Sequence, residues 1–285
     1  MRWAATHASP LPSGANLRLG VLVEHARSHP QPPAPYLAPV LHILYLDTEH
    51  VSDPLFLDTL AQQFHKHPVG HRRTLIVHGS SEKVERTFES DGVFIEREDG
   101  LLPVETEEQR RLVERDLRET NQSIVAALTD QVVPTVGVQG TDRQLLHRTE
   151  SGAVEAAPNL GWLDALLKQH VVAVVSSMID APDSPIAEEV PLYEAASALG
   201  QYFMRNDVTD APVQVVFFHP DDTPGIRGEN GAIRDRHAPP SRSDDVPHAA
   251  ALSHLAQAGI PALITNVQAF FSGSRPEGTA IVDPG

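Results

Sequence analysis

The stretch Thr74-Leu75-Ile76-Val77-His78-Gly79-Ser80-Ser81 decides the fold. Thr74 to Val77 show no polar alternation, the pattern of a strand buried on both faces, as strands in parallel sheets are. Such a sheet must carry helices on its faces, because each parallel crossover returns over one of them. The run ends at His78 and a Gly-Ser-Ser turn, where small residues leave backbone N–H groups open to a neighbour.

Outward from this strand the pattern repeats. Apolar runs predict strands at Val40 to Leu46, Thr74 to His78, Thr135 to Val138, Val171 to Ser176, Val213 to Phe218 and Ala262 to Thr265. Helices fit Asp53 to His67, Glu107 to Leu128, Gly161 to Gln169, Leu192 to Arg205 and His248 to Ala258. The alternation predicts an α/β chain, a three-layer αβα sandwich around an open, mainly parallel central sheet. The expected organisation is an N-terminal extension with a Pro-rich linker over 1–37 and one continuous domain over 38–285. Within the extension, Ala15 to His29 reads as a short helix and Pro30 to Pro35 as a stiff linker. Ser90 to Pro103 reads as a β-hairpin, and Asp221 to Pro247, rich in Pro, Gly, Asp and Arg, as a long exposed loop or lid.

Composition removes several function classes. The chain has no cysteine, which excludes disulfides, thiolate metal sites and cysteine nucleophiles. A formal charge of -16 disfavours nucleic acid and anionic membranes, which need clustered cations. Of the 22 basic residues only Lys66, Lys83 and Lys168 are lysines. No apolar run is long enough to cross a bilayer, and the first residues lack the apolar core of a signal peptide, so the expected compartment is the cytoplasm.

Several segments together resemble the amino-acid kinase family, and within it the acetylglutamate kinases. Leu75 to Ser81 is similar to the family strand that ends in His and three glycines, with Ser80 and Ser81 in two of the glycine places. Asn121 with Ile124, Val125 and Leu128, followed by Val136-Gly137-Val138-Gln139-Gly140-Thr141-Asp142, resembles the family's Asn-containing helix and its Val-Gly-Leu-x-Gly-x-Asp turn. Gly161, the strand end Val174-Val175-Ser176-Ser177, the helix Glu194 to Leu199 and the loop Asp222-Thr223-Pro224-Gly225-Ile226 follow in family order. The resemblance spans roughly residues 38 to 283.

The resemblance implies an acyl-substrate lobe over 38–180 and a nucleotide lobe over 181–285. It implies phosphoryl transfer from ATP, with Mg²⁺, to the carboxylate of an N-acylated amino acid in arginine-type biosynthesis. Substrate contacts then fall on Gly79, Ser80, Ser81, Asn121, Ser176 and Ser177, and nucleotide contacts on Asp222, Gly225 and Arg227. It also implies a homo-oligomer paired through the helix Glu107 to Leu128, with the N-terminal helix either a surface tail or an assembly element.

The cations that phosphoryl transfer depends on are missing from this pattern. The family's first strand ends in Lys-x-Gly-Gly, and here the aligned residues are Tyr45, Leu46, Asp47 and Thr48. The second family lysine aligns with Pro247, beside His248, and the aspartate that organises the lysines with Tyr193, beside Glu194. The arginine that holds the substrate carboxylate falls near Leu102. Lys83, Glu194 and His248 are the remaining catalytic candidates. Three readings follow. The chain is an acylamino-acid kinase, either working with its charge supplied by Mg²⁺, by loop arginines such as Arg227, Arg234 and Arg236 or by a partner, or with weak or lost activity; a non-catalytic subunit that binds a metabolite or an active kinase partner; or a new activity on the old pocket. The last would use His78, His219 and His248 with Asp47, Glu189 and Glu194; no zinc-type spacing appears, so no metal site is assigned. Asp142 is either a turn residue or a ligand contact.

Overall fold

The computed structural model describes residues 40–67, 72–181, 184–205, 211–241, 244, 246–273 and 275–282. The helix expected over Ala15 to His29 lies outside them. In chain order the elements are β1 (Val40–Leu46), α1 (Thr48–Ser52), α2 (Pro54–Lys66), β2 (Arg72–His78), α3 (Glu82–Ser90), α4 (Glu107–Asp130) and β3 (Thr135–Val138). Then come β4 (Leu146–Arg148), β5 (Val154–Ala156), α5 (Gly161–Lys168), β6 (Val172–Ser176), β7 (Met178–Ile179), β8 (Glu188–Glu189), α6 (Leu192–Arg205) and β9 (Val213–Phe218). The chain continues through β10 (Arg236–His237), α7 (Ala249–Gln257), β11 (Ala262–Thr265), α8 (Val267–Phe271) and β12 (Thr279–Ile281).

Eight strands form one sheet in the order β10-β12-β11-β9-β1-β2-β6-β3, parallel throughout except where β12 runs against β11. Alternate side chains of each central strand enter different cores. Ile43, Leu75, Val77, Val215 and Phe217 join α5, α6 and α7 on one face. Leu44, Leu46, Ile76, Val174 and Val216 join α2, α4 and α8 on the other. These are the three layers expected from uninterrupted apolar strands. Because the central strands are parallel, their carboxyl ends share one edge, where open α/β sheets place ligands.

Helix starts are written locally. Asp53 accepts from the Leu55 N–H with Pro54 at the first helical position, and Thr106 and Gln109 form a reciprocal capping box on α4. One expectation needs correction. Ser90 to Pro103 forms a single bridge, Glu98 to Leu101, rather than a hairpin, its chain held instead by Arg97 against the β2 turn. As expected, the described residues of the Asp221 to Pro247 stretch form a long, largely exposed loop; its regular contacts there are a bridge from Arg227 to Ile233 and the two-residue β10, which pairs with β12 at the sheet edge. Among the described residues no helix is long and apolar enough to cross a membrane.

Candidate functional site

The turn after β2 brings together Gly79, Ser80 and Ser81, and the amide donors of Ser80 and Ser81 are already taken. Ser80 donates its N–H to Glu189 Oε1 at 2.6 Å and its hydroxyl to Oε2 at 2.8 Å. Ser81 repeats the arrangement on Asp116, donating N–H at 2.7 Å and hydroxyl at 2.8 Å. Two carboxylates of the chain thus sit where the turn would hold an external anion. Room for one depends on Gly79, since a Cβ there would lie 3.0 Å from Glu189 Oε1. The α3 terminus is used up as well, with the Glu82 N–H on Ser52 Oγ and the Lys83 N–H on Ser81 Oγ.

Burial raises the Glu189 carboxyl above the usual carboxylate range, opposed by its bonds from Ser80 and by Arg97. Asp116 is raised for the same first reason and opposed by Ser81. Arg97 supplies the cation of the cluster, donating to Ser80 Oγ at 3.0 Å, to Ser81 O at 3.2 Å, to Gly100 O and to Glu85. It was missed in the sequence, where it stands in the acidic run Glu96-Arg97-Glu98, five residues from the aligned position Leu102.

Beneath the turn the polar side chains face inward. His78 donates from Nδ1 to Gly79 O, so its Nε2 accepts from Asn121 Nδ2 at 3.1 Å, and Asn121 also reaches the carbonyls of Val138 and Val174. Asn121 therefore ties α4 to three strands. Its Oδ1 would stand 2.3 Å from a Cβ at Gly137, which accounts for that glycine. Burial pushes His78 down to about 4, so the ring stays neutral. Ser176 Oγ accepts from the Gly140 N–H and donates to Gln139 Oε1, while Ser177 Oγ, fully buried beside Gly79, has no partner among the described residues. Asp142 accepts from the Gln139 N–H at 2.8 Å, the turn role.

At the end of β1, Asp47 caps α1 and accepts from His50 Nδ1 at 2.6 Å. Its other oxygen lies 3.5 Å from His248 Nδ1, and His248 donates from Nε2 to Phe218 O at 3.0 Å. Burial pushes Asp47 up, but the bond from His50 and the charges of His50 and His248 outweigh it and bring the carboxyl to about 2. Burial lowers His248, only partly offset by Asp47. Tyr45, aligned with the first family lysine, packs its ring on Phe217 and His248 and is likewise buried. Beyond His50 opens a cleft of about 380 Å³, lined by residues that include Glu49, Asp53, Phe56, Phe218, His219 and Asp222.

No family model and no curated protein matches the chain. Solved structures do. An isopentenyl phosphate kinase superposes with a TM-score of 0.57 at 17% identity, covering 85% of this chain and 100% of that one. An N-acetylglutamate synthase from Neisseria gonorrhoeae gives 0.63 at 14% identity over 87% of this chain and 60% of that one. An aspartate kinase from Synechocystis gives 0.58 at 15% identity over 87% and 40%. The chain has the amino-acid kinase fold.

On this amino-acid kinase fold the other sequence candidates scatter. Lys83 pairs with Glu119 on an exposed face between α3 and α4. Glu194 is half-buried in the first turn of α6. Asp222 lines the cleft, with its carbonyl taken by Asn266. Gly225, at φ +147, packs against Thr279, and Arg227 reaches Gly231 O from an exposed turn. Among the described residues no group of three His, Asp or Glu side chains is arranged to hold a metal.

Proposed function

We propose that this chain is an acetylglutamate kinase-like protein that no longer transfers phosphate and serves as a ligand-binding or regulatory subunit. One observation carries the reading: the Ser80 and Ser81 amides, which would cradle a substrate or phosphate oxygen, are donated to Glu189 and Asp116. The residues present do not fit ATP with Mg²⁺. Asp47, Glu189 and Asp116 put negative charge along the edge where a triphosphate would lie, and neither aligned lysine place carries a cation. At about 4 Å two like charges repel by about 4 kcal/mol at an effective dielectric of 20. Each lost electrostatic contact costs about 100- to 1,000-fold in rate.

Calorimetric titration with Mg-ATP, alone and with N-acetylglutamate, together with an ADP-release assay, tests the reading. The expected outcome is no ATP binding up to millimolar concentration and no ADP release. Micromolar ATP binding with turnover overturns it.

A further inference from the structure

We propose that the stretch Phe94 to Glu98 is a docking strand, which takes up an extended segment of a partner protein in which apolar and basic residues alternate. The stretch has the periodicity of a β-strand but no neighbour. Burial alternates along it, with Ile95 and Arg97 partly buried and Phe94, Glu96 and Glu98 exposed. Ile95 packs on the cluster that holds Val84, Phe88 and Leu102, and Arg97 donates to Ser80 Oγ and Ser81 O. These two side chains fix the stretch on the body of the protein. Its backbone is unused: from Phe94 to Arg97 no N–H or C=O makes a hydrogen bond among the described residues. The sequence explains why. Asp99 and Gly100, at φ +52 and +83, turn the chain back, and Glu98 exchanges two backbone bonds with Leu101. Bonded and non-bonded pairs alternate in an antiparallel ladder, so the next bonded pair would be Glu96 with Pro103, which has no N–H to give. The ladder stops after one bridge.

The outward side chains decide what covers such a strand. Phe94 is 82% exposed and Val93 36%, an apolar surface of β-prone residues. Glu96 and Glu98, with Asp91 and Asp99 at the ends, make its rim acidic. Charge on an unpaired strand guards it against pairing with its own kind. A second copy of this chain would set these carboxylates against one another, and like charges directly opposite are destabilising. A segment with lysine or arginine between apolar residues instead pairs with Glu96 and Glu98, covers Phe94 and supplies the missing backbone partners, the mode in which an extended peptide adds to an open strand. The inference is independent of the silent-kinase reading, since ATP turnover would leave this strand without a neighbour all the same.

The probe is the capped peptide Lys-Val-Lys-Val-Lys-Val, titrated calorimetrically into the full chain while amide hydrogen exchange is followed over Phe94 to Arg97. Phe94→Ser and the double reversal Glu96→Lys, Glu98→Lys change only exposed side chains of the strand. The double reversal Glu150→Lys, Glu155→Lys changes net charge equally, at exposed carboxylates of the β4 to β5 hairpin. The peptide is expected to bind and to slow exchange within Phe94 to Arg97 by about ten-fold; Phe94→Ser and the strand reversal should each weaken it by about ten-fold, and the hairpin reversal by less than about two-fold. No binding up to about 1 mM peptide, binding that leaves exchange unchanged, or equal weakening by the two reversals overturns the inference, the last two outcomes marking attraction to an acidic surface alone. A dimer of the full chain that Phe94→Ser dissolves makes the occupant a second copy and overturns it as well.

Discussion

Replacing His42 by leucine should stabilise the protein, and more so in acid. His42 lies in the middle of β1, 2% exposed, with neither ring nitrogen partnered among the described residues. Its surroundings are the edge of Phe270 at 5.3 Å and Thr74 on β2, whose hydroxyl is also unpartnered. Burial, with the Arg72 charge added, brings its pKa from 6.5 to about 3. The folded state therefore keeps the ring neutral while the unfolded chain takes up a proton, so stability is lost as pH falls from 6.5 towards 3. At about pH 4.5 that pull amounts to two pKa units, or about 2.7 kcal/mol. Two unpaired buried nitrogens add a desolvation cost of about 1–3 kcal/mol at any pH. His42→Leu removes both. In urea unfolding the variant should exceed the wild type by about 1–2 kcal/mol near neutrality, and the gap should widen by about 2.7 kcal/mol near pH 4.5. His78 contributes a slope of the same sign, and Glu189 and Asp116 slopes of the opposite sign, but these are shared by both proteins and leave the gap unchanged. A gap that stays constant, or a variant less stable at neutral pH, would refute the reasoning.

Three further outcomes are expected. Because the Glu189 carboxyl is raised, its charge costs stability as pH climbs from 4.5 through the folded value; Glu189→Gln should flatten that descent in urea midpoints taken on either side. Asn121→Ala strips three buried hydrogen bonds that join α4 to the sheet and should cost about 3 kcal/mol by thermal or urea unfolding. Gly140→Ala would place a Cβ 2.0 Å from Met178 O and 2.8 Å from Ser176 O, both backbone, so soluble expression should fail or the melting temperature collapse.

The sheet was legible because its strands are uninterrupted apolar runs: β1, β3, β9 and β11 lie where the runs stand. What escaped was structure whose signal is sparse or distant. Helix α3 carries only Val84 and Phe88 as buried residues, one turn apart, too short a stripe to announce a helix. His248 reads as a helical residue, yet it is the α7 cap at φ +60, a conformation chosen by its bond to Phe218 across the sheet edge. The site shows the same division. Small residues at strand ends located the crevice, but Glu189 and Asp116 occupy the turn from 109 and 35 residues away, and no spacing rule links them to Ser80 and Ser81. The family pattern pointed to missing lysines; it gave no sign of which groups would fill the space.

That self-filled turn has a consequence for how the protein answers its surroundings. A fold whose anion cradle is empty without ligand gains stability in proportion to ligand saturation, about 2.7 kcal/mol at a hundredfold excess over the dissociation constant. Here Glu189 and Asp116 make those bonds permanently. This turn carries its own anions, so an external anion gains the Ser80 and Ser81 donors only by displacing Glu189 and Asp116, and the stabilisation it brings there is reduced by the bonds it breaks.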